Sequence, residues 1–132
     1  MSFLTLKNIT KSFGPNTVVR DFDLNVASGE FVSFLGPSGC GKTTVLRMIA
    51  GFETPSSGSI HVGGMDVTAL PASRRKIGMV FQAYALFPNM SVRDNVAFGL
   101  KIAGMPRAEI DTRVAEMLDL ISLGSLADRY PY

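Results

Sequence analysis

A chain of 132 residues is long enough for one domain of ordinary size, and 46% hydrophobic with 18% charged residues is a globular composition that excludes intrinsic disorder. A net charge of +2 gives no basis for a nucleic-acid partner, and the one cysteine, Cys40, excludes an intrachain disulfide and fits a reducing compartment. No apolar stretch is long enough for a signal peptide or a membrane span. We therefore expect a cytoplasmic protein that reaches a membrane only through a partner.

The first part of the chain is predicted to form an antiparallel β part. Residues 3–9 and 17–26 alternate apolar and polar side chains, which is the pattern of half-buried strands. Between them the stretch KSFGPN supplies the chain-breaking residues Gly14, Pro15 and Asn16, so we expect a turn there.

The middle of the chain interleaves predicted strands and a helix. Residues 31–35 (FVSFL) form a short apolar run, which predicts a strand buried on both faces. Residues 42–50 (KTTVLRMIA) are predicted to be helical, and SIHV (59–62) and KIGMVFQ (76–82) are predicted strands. This alternation favours an α/β layered fold.

The periodicity of apolar residues also identifies helix faces and helix starts. In the first helix Val45, Met48 and Ile49 share one face. Ser91, followed by Asp94, has the spacing of a capping box and predicts that a second helix starts there. The clearest helix is PRAEIDTRVAEMLDLISL, where we expect Glu109 to pair with Arg113 and an apolar stripe formed by Ile110, Val114, Met117, Leu118 and Ile121.

One glycine-rich loop lies between an apolar run and a predicted helix, and it has the pattern G-x-x-x-x-G-K-[ST]. Its glycines let backbone N–H groups line a concave nest, and the helix that follows directs its positive end at the same place. Lys42 adds a charge for outer phosphates, Thr43 a hydroxyl for magnesium, and Thr44 a contact to an inner phosphate. The predicted phosphate site comprises Gly36, Pro37, Ser38, Gly39, Cys40, Gly41, Lys42, Thr43 and Thr44.

Such a loop does not by itself choose among the proteins that use it. The alternative is a glycine-rich strand-to-helix turn with an incidental lysine. A small GTPase is disfavoured because neither D-x-x-G nor N-K-x-D occurs, whereas a small-molecule kinase stays open on the loop alone. Cys40 lies inside the loop, either as a small residue that fits or as a thiol whose alkylation blocks nucleotide binding.

Three further stretches, ITKSFG, GFETPSSGSIHVGG and KIGMVFQAYALFPNMSVRDNVAFGL, follow in order around this loop. Together with the tail EIDTRVAEMLDLISLGSLADRYP they closely resemble the ATP-binding subunit of ABC transporters, of the importer type, from about residue 3 onward. The resemblance implies an incomplete P-loop NTPase core with an N-terminal antiparallel β part and a helical subdomain arm. It implies a single domain over residues 1–132, with the core in about 1–90 and the start of the helical subdomain in 91–132.

The resemblance also implies roles for residues outside the loop. Phe13 is similar to the aromatic residue that stacks on adenine, a contact worth about 1–3 kcal/mol, with a core position as the alternative. Gln82 resembles the glutamine that touches the magnesium ion or the attacking water. The apolar loop 83–90 resembles the docking surface for transmembrane permease subunits, with a loop packed on its own core as the alternative. The family binds ATP and Mg²⁺, forms head-to-tail dimers of ATP-binding subunits, and lies on the inner face of the membrane through its permeases.

Four further motifs of the family are not found within residues 1–132. The LSGGQ motif is expected just after Tyr132, and the magnesium-binding aspartate, the water-polarising glutamate and the switch histidine lie further on in the family. We therefore expect negligible ATP hydrolysis by this chain alone and two open edges in its sheet. A non-hydrolysing nucleotide-binding module and a small-molecule kinase stay as alternatives; the kinase lacks an evident acceptor-binding base.

Overall fold

A four-stranded antiparallel sheet organises the first part of the chain in the computed structural model, which describes residues 2–132. The strand order is β2-β1-β3-β4, and each neighbouring pair is antiparallel. The strands are β1 (Ser2–Phe13), β2 (Asn16–Ala27), β3 (Ser57–Val62) and β4 (Met65–Asp66). The mixed α/β class and the antiparallel β part are confirmed.

The first two strands are longer than predicted and are joined by a turn at Gly14 and Pro15. Leu6 and Ile9 of β1 lie in the core, at 1% and 0% exposed, as does Ile60 of β3. Pairing shifts occur along β1, where Ile9 lies opposite Phe22 and Lys11 opposite Val19. The buried side chains of this hairpin belong to a core cluster that also includes residues of the helix described next.

Helix α1 (Lys42–Ala50) has the predicted bounds. Val45 and Met48 are buried, and Ile49 is partly buried, so the predicted face is the one that packs on the sheet. Helix α1 and the sheet share a core cluster with Val67, which follows β4. A short helix, α2 (Ala72–Arg75), completes this part of the chain.

The strands predicted at 31–35 and 76–82 are absent, so these two predictions were wrong. Phe31 and Leu35 are each 92% exposed, and Val80 is 87% exposed. A strand buried on both faces needs neighbouring strands, and the described sheet provides none beside these segments. Within 31–35, Phe34 is held to the core because its ring meets that of Phe22 edge-on at 6.0 Å between centroids.

Two compact units divide the chain, one up to Met79 and one from Val80 to Tyr132. The second contains α3 (Val92–Ile102), α4 (Arg107–Leu120) and a 3₁₀ turn at Gly124–Leu126. Its core consists of Ala97, Ile110, Val114, Leu118 and Ala127. The division after Met79 differs from the boundary near residue 90 in the sequence-based prediction of a β/P-loop core and a helical subdomain.

The capping box at the start of α3 is confirmed. Ser91 is the N-cap, and its hydroxyl accepts a hydrogen bond from the backbone N–H of Asp94 at 3.1 Å. The same hydroxyl donates to the Asp94 carboxylate at 2.8 Å. The first turn of α3 is thereby closed by side chains as the sequence predicted.

Two predictions for α4 were wrong. Met117 and Ile121 are 44% and 57% exposed, because the buried face follows the i, i+4 series and Ile121 lies just past the helix end. Arg113 pairs with Glu116 at 3.4 Å, and no pairing with Glu109 appears among the ion pairs of residues 2–132. An ion pair this exposed is worth little in either register. In the same stretch of described chain, no helix is long and apolar enough to cross a membrane.

Candidate functional site

The glycine-rich loop lies directly before α1, and its last residue, Gly41, is the N-cap of that helix. Gly39 and Gly41 have backbone φ angles of +79° and +93°, a region that side chains disfavour. A Cβ at Gly41 would lie 2.8 Å from the carbonyl oxygen of Val18 and 3.1 Å from a methyl of Val19. Glycine is therefore required at Gly41 both for the turn and for the close approach to β2.

Lys42, the first residue of α1, folds its side chain back over the loop. Its Nζ donates to the carbonyl oxygens of Gly36 at 2.6 Å and Pro37 at 2.7 Å, and lies 3.4 Å from Cys40 Sγ. The side chain is half-buried while the loop before it is exposed. The loop is therefore folded around one ammonium group, and its outer surface stays open to solvent.

The amino-terminal turn of α1 opens on the same loop. Val45 is the first helical residue whose backbone N–H finds its acceptor in the N-cap carbonyl, that of Gly41 at 2.9 Å. The N–H groups before it have no helical acceptor, as at every helix start, and they carry the positive end of the helix dipole. Thr43 is exposed and Thr44 is partly exposed beside them. Backbone donors, a helix dipole and a lysine therefore converge here, which is the chemistry that anionic oxygens require.

A cavity of about 380 Å³ adjoins this loop. Residues of β2 line part of this cavity, which the sequence did not predict. A strand residue that faces a cavity shows the same alternation of apolar and polar side chains as one that faces a core. Phe34, from the segment before the loop, also contributes to it. Its lining includes Val18, Arg20, Phe34, Cys40 and Lys42.

Phe13 ends β1 and is 46% exposed, so the alternative of a core position is wrong. The ammonium of Lys11 lies 4.8 Å from the centroid of its ring. The same ammonium donates to the carbonyl oxygen of Thr54 at 2.7 Å and pairs with Glu53 at 3.0 Å. Lys11 thus holds the Phe13 ring beside the loop that follows α1, a contact that no sequence pattern predicted.

Gln82 lies in an exposed turn of the second unit, after the segment predicted to be a strand. The phosphate loop belongs to the first unit. The role of Gln82 at a magnesium ion or water therefore stays a prediction.

The apolar loop 83–90 exposes its large side chains. Tyr84 is 81% exposed and Leu86 59%, whereas Phe87 lies against Phe98 with ring centroids 4.7 Å apart. Asn95 of α3 fixes the base of the loop. Its side chain accepts from the Phe87 N–H at 2.9 Å and donates to carbonyls of Phe87, Met90 and Ser91 at 3.0–3.1 Å. The loop therefore presents an exposed apolar surface and is hydrogen-bonded to α3 at its base.

A family model described as ABC transporter matches residues 19–132. The chain belongs to the ABC transporter family. The matched residues include the glycine-rich loop, α1 and the whole second unit. The resemblance on which the sequence analysis relied is confirmed.

Relatives with curated names cover nearly all of this ABC transporter chain. The Fe(3+) ions import ATP-binding protein FbpC of Photorhabdus laumondii is 54% identical over 129 residues, which are 98% of this chain and 37% of the relative. The spermidine/putrescine import ATP-binding protein PotA of Aggregatibacter actinomycetemcomitans is 52% identical over 128 residues, 97% of this chain and 34% of the relative. The chain thus spans about a third of the length of these relatives.

Proposed function

We propose that this chain is the phosphate-binding part of the ATP-binding subunit of an ABC importer. The observation that carries the proposal is the loop at the start of α1, where the Lys42 ammonium lies 2.6 and 2.7 Å from two loop carbonyls. Polyphosphate oxygens accept hydrogen bonds from backbone N–H groups and from ammonium groups, and both kinds of donor converge at this loop. The importer class comes from the relatives, which are named as import ATP-binding proteins.

The proposed nucleotide contacts follow from where the side chains lie. Residues 38–44 hold the phosphates, and the exposed Phe13 ring stacks on adenine. Lys11 covers part of one ring face, which leaves the remaining ring surface for the base. Thr43 offers a hydroxyl to Mg²⁺, and Gln82 is proposed as a second magnesium contact. The bound ion would neutralise charge on the phosphates.

Residues 2–132 contain no group of three His, Cys, Asp or Glu side chains arranged to hold a metal ion. We propose that a magnesium ion at this site is bound by the nucleotide phosphates, the Thr43 hydroxyl and the Gln82 side chain. We propose that this chain binds MgATP and turns it over negligibly by itself. Rapid release of phosphate by the purified chain would contradict this part of the proposal.

The proposed partners are permease subunits and a second ATP-binding subunit. The exposed Tyr84 and Leu86, on a loop that is hydrogen-bonded to α3, support docking of an apolar helix at 83–90. The solute is left open, because relatives of nearly equal identity are named for a ferric ion and for polyamines. A ferric ion and a polyamine differ in size and in the groups that bind them, so likeness over these residues does not select one.

The test is calorimetric titration of the purified chain with MgATP. We expect Lys42→Met to weaken binding by about 10–100-fold, the loss of one charge-assisted contact. Lys7→Met removes the same charge from an exposed position on β1 and serves as the control, with affinity unchanged. Equal binding by the native chain and Lys42→Met would contradict the proposal, as would no binding by the native chain.

Cys40 provides a second readout of the same site. Its thiol is exposed and lies 3.4 Å from the Lys42 ammonium, so a bound phosphate chain would shield it. We expect saturating MgATP to slow alkylation by iodoacetamide, and the alkylated chain to lose MgATP binding. Equal alkylation rates with and without MgATP would count against phosphate binding at this loop.

A further inference from the structure

Among residues 2–132, the charged side chain that is buried is that of Arg75, which is 7% exposed. Its guanidinium donates to the carbonyl oxygens of Met48 at 2.7 Å and Ile49 at 3.0 Å, both in the last turn of α1. It also donates to Leu70 at 2.7 Å and Thr68 at 3.1 Å, in the segment after β4. One side chain therefore ties the end of the phosphate-loop helix to the chain that follows the sheet.

The charge of Arg75 is balanced by carbonyl dipoles, since no ion pair among residues 2–132 includes it. The carboxyl end of a helix is the negative end of its dipole, so a cation there is favourable. Burial lowers the pKa of the guanidinium, but an arginine is still charged at neutral pH. The guanidinium suits this position because its five N–H donors lie in one rigid plane, whereas an ammonium has three donors on a flexible stem.

The local chain is built around this contact. Gly51 follows α1 with φ +89°, and the N–H groups of Gly51 and Phe52 both donate to the Arg47 carbonyl at 2.9 Å. A Cβ at Gly51 would lie 2.7 Å from Arg75 Nε and 2.8 Å from the Ala72 nitrogen. The helix end, α2 and the guanidinium therefore pack too closely to allow any side chain at Gly51.

We propose that Arg75 is a positioning residue for the phosphate site, acting through α1. At its amino end the helix begins at Gly41, so close to β2 that an added Cβ would lie 2.8 Å from the Val18 carbonyl oxygen, and at its carboxyl end it is held by Arg75. Nine residues make a rigid rod of about 13 Å. A shift at one end is therefore transmitted to the N–H groups and to Lys42 at the other. The proposal rests on the proposed function, since it concerns affinity for phosphates at that loop.

The test compares Arg75→Met with Arg74→Met. Arg74 is exposed on the same short helix, so its variant removes an equal charge without touching α1. At a temperature where circular dichroism shows both variants folded, we expect Arg75→Met to bind MgATP about tenfold more weakly than the native chain. Arg74→Met should stay within about twofold. The ratio of MgATP to MgGTP affinities should be unchanged in both, because the proposed base contact lies on β1.

Arg75→Lys supplies the rescue, because it keeps the charge and loses the planar guanidinium. We expect its MgATP affinity to fall between those of the native chain and Arg75→Met. If Arg75→Met does not fold, Arg75→Lys decides: a loss of about threefold or more supports the proposal, and native affinity overturns it. A folded Arg75→Met that binds MgATP like the native chain also overturns it. If the native chain itself binds no MgATP, the proposed function fails, and this inference with it.

Discussion

The two units of the chain differ in the size of the side chains that fill their cores. The first buries large apolar side chains between segments that are distant in sequence, with Ile9, Met48 and Ile60 all at 0% exposed. The second has two alanines among its buried core residues, Ala97 and Ala127, and its loop and helix start are held by polar side chains. Hydrogen bonds from side chains to the backbone occur in both units, for example at Arg75 in the first and at Asn95 in the second, so the units differ in the size of the side chains that they bury. Variants that remove one kind of contact at a time test this difference.

The largest expected effect is at Met48, in the centre of the first core. Met48→Ala leaves a cavity between α1 and the sheet, and such changes cost about 2–5 kcal/mol of unfolding free energy. Leu46→Ala is the matched control, since Leu46 is on the same helix but 47% exposed. Chemical denaturation should show a loss for Leu46→Ala of less than about 1 kcal/mol. Similar losses for the two variants would mean that the face of α1 described above is not the packed one.

The next effect is at Leu118, which is only 2% exposed in the second core. Leu118→Ala is expected at the lower end of about 2–5 kcal/mol, because two helices can close on a cavity more easily than a sheet can. Leu120→Ala, at 75% exposed, is the control on the same helix. Amide hydrogen exchange should report the loss in α3 and α4. Equal protection in the Leu118 and Leu120 variants would remove the case for a packed second core.

A smaller effect is expected at Asn95, whose side chain makes four hydrogen bonds to backbone groups of Phe87, Met90 and Ser91. Asn95→Ala removes the partner of the Phe87 N–H and of the Met90 carbonyl, whereas the carbonyls of Phe87 and Ser91 keep backbone N–H donors, and we expect a cost of about 1–3 kcal/mol. The exposed Asn89, in the same loop, is the control. Limited proteolysis should cut Asn95→Ala within 83–90 faster than Asn89→Ala. Equal cutting rates would show that polar contacts do not hold this loop.

Much of this arrangement could be predicted from local sequence. Helix α1 has its predicted bounds, and the spacing of Ser91 and Asp94 located the start of α3, because each depends on contacts within a few residues. The hairpin of β1 and β2 was predicted from the alternation within each strand and from the turn residues between them. The glycine-rich loop was located because its pattern combines backbone freedom with a charge at a helix start.

The features that escaped prediction depend on partners distant in sequence. An apolar run such as 31–35 shows a tendency to be buried, but it does not say whether a neighbouring strand is present. Arg75 lies in a polar stretch with Arg74, and nothing in the sequence distinguishes the buried arginine from the exposed one. Lys11 likewise gave no sign that it would contact Phe13 and Glu53. Such contacts appear only when the chain is folded.

The smallest expected effect is the pH dependence of Asp94. Hydrogen bonds from Lys101 and Ser91, with the Lys101 charge, hold the pKa of this carboxyl below its usual value. The Asp94 carboxyl therefore binds a proton more readily in the unfolded chain than in the folded one. Its contribution to the free energy of unfolding is fully present above about pH 5. It is lost as the pH falls through the unfolded value near 4 and then through the folded one.

In Asp94→Asn, the free energy of unfolding of the second unit should fall less as the pH is lowered below about 5. Asp66 is the counterpart in the first unit, because hydrogen bonds from Thr68 lower its pKa in the same direction. Asp66→Asn should therefore change the acid dependence of the first unit and leave that of the second as it was. NMR titration of the two carboxyls, with exchange rates read in each unit, measures both. If the stability of α3 depended on pH in the same way in Asp94→Asn as in the native chain, the charge of Asp94 would not contribute to stability.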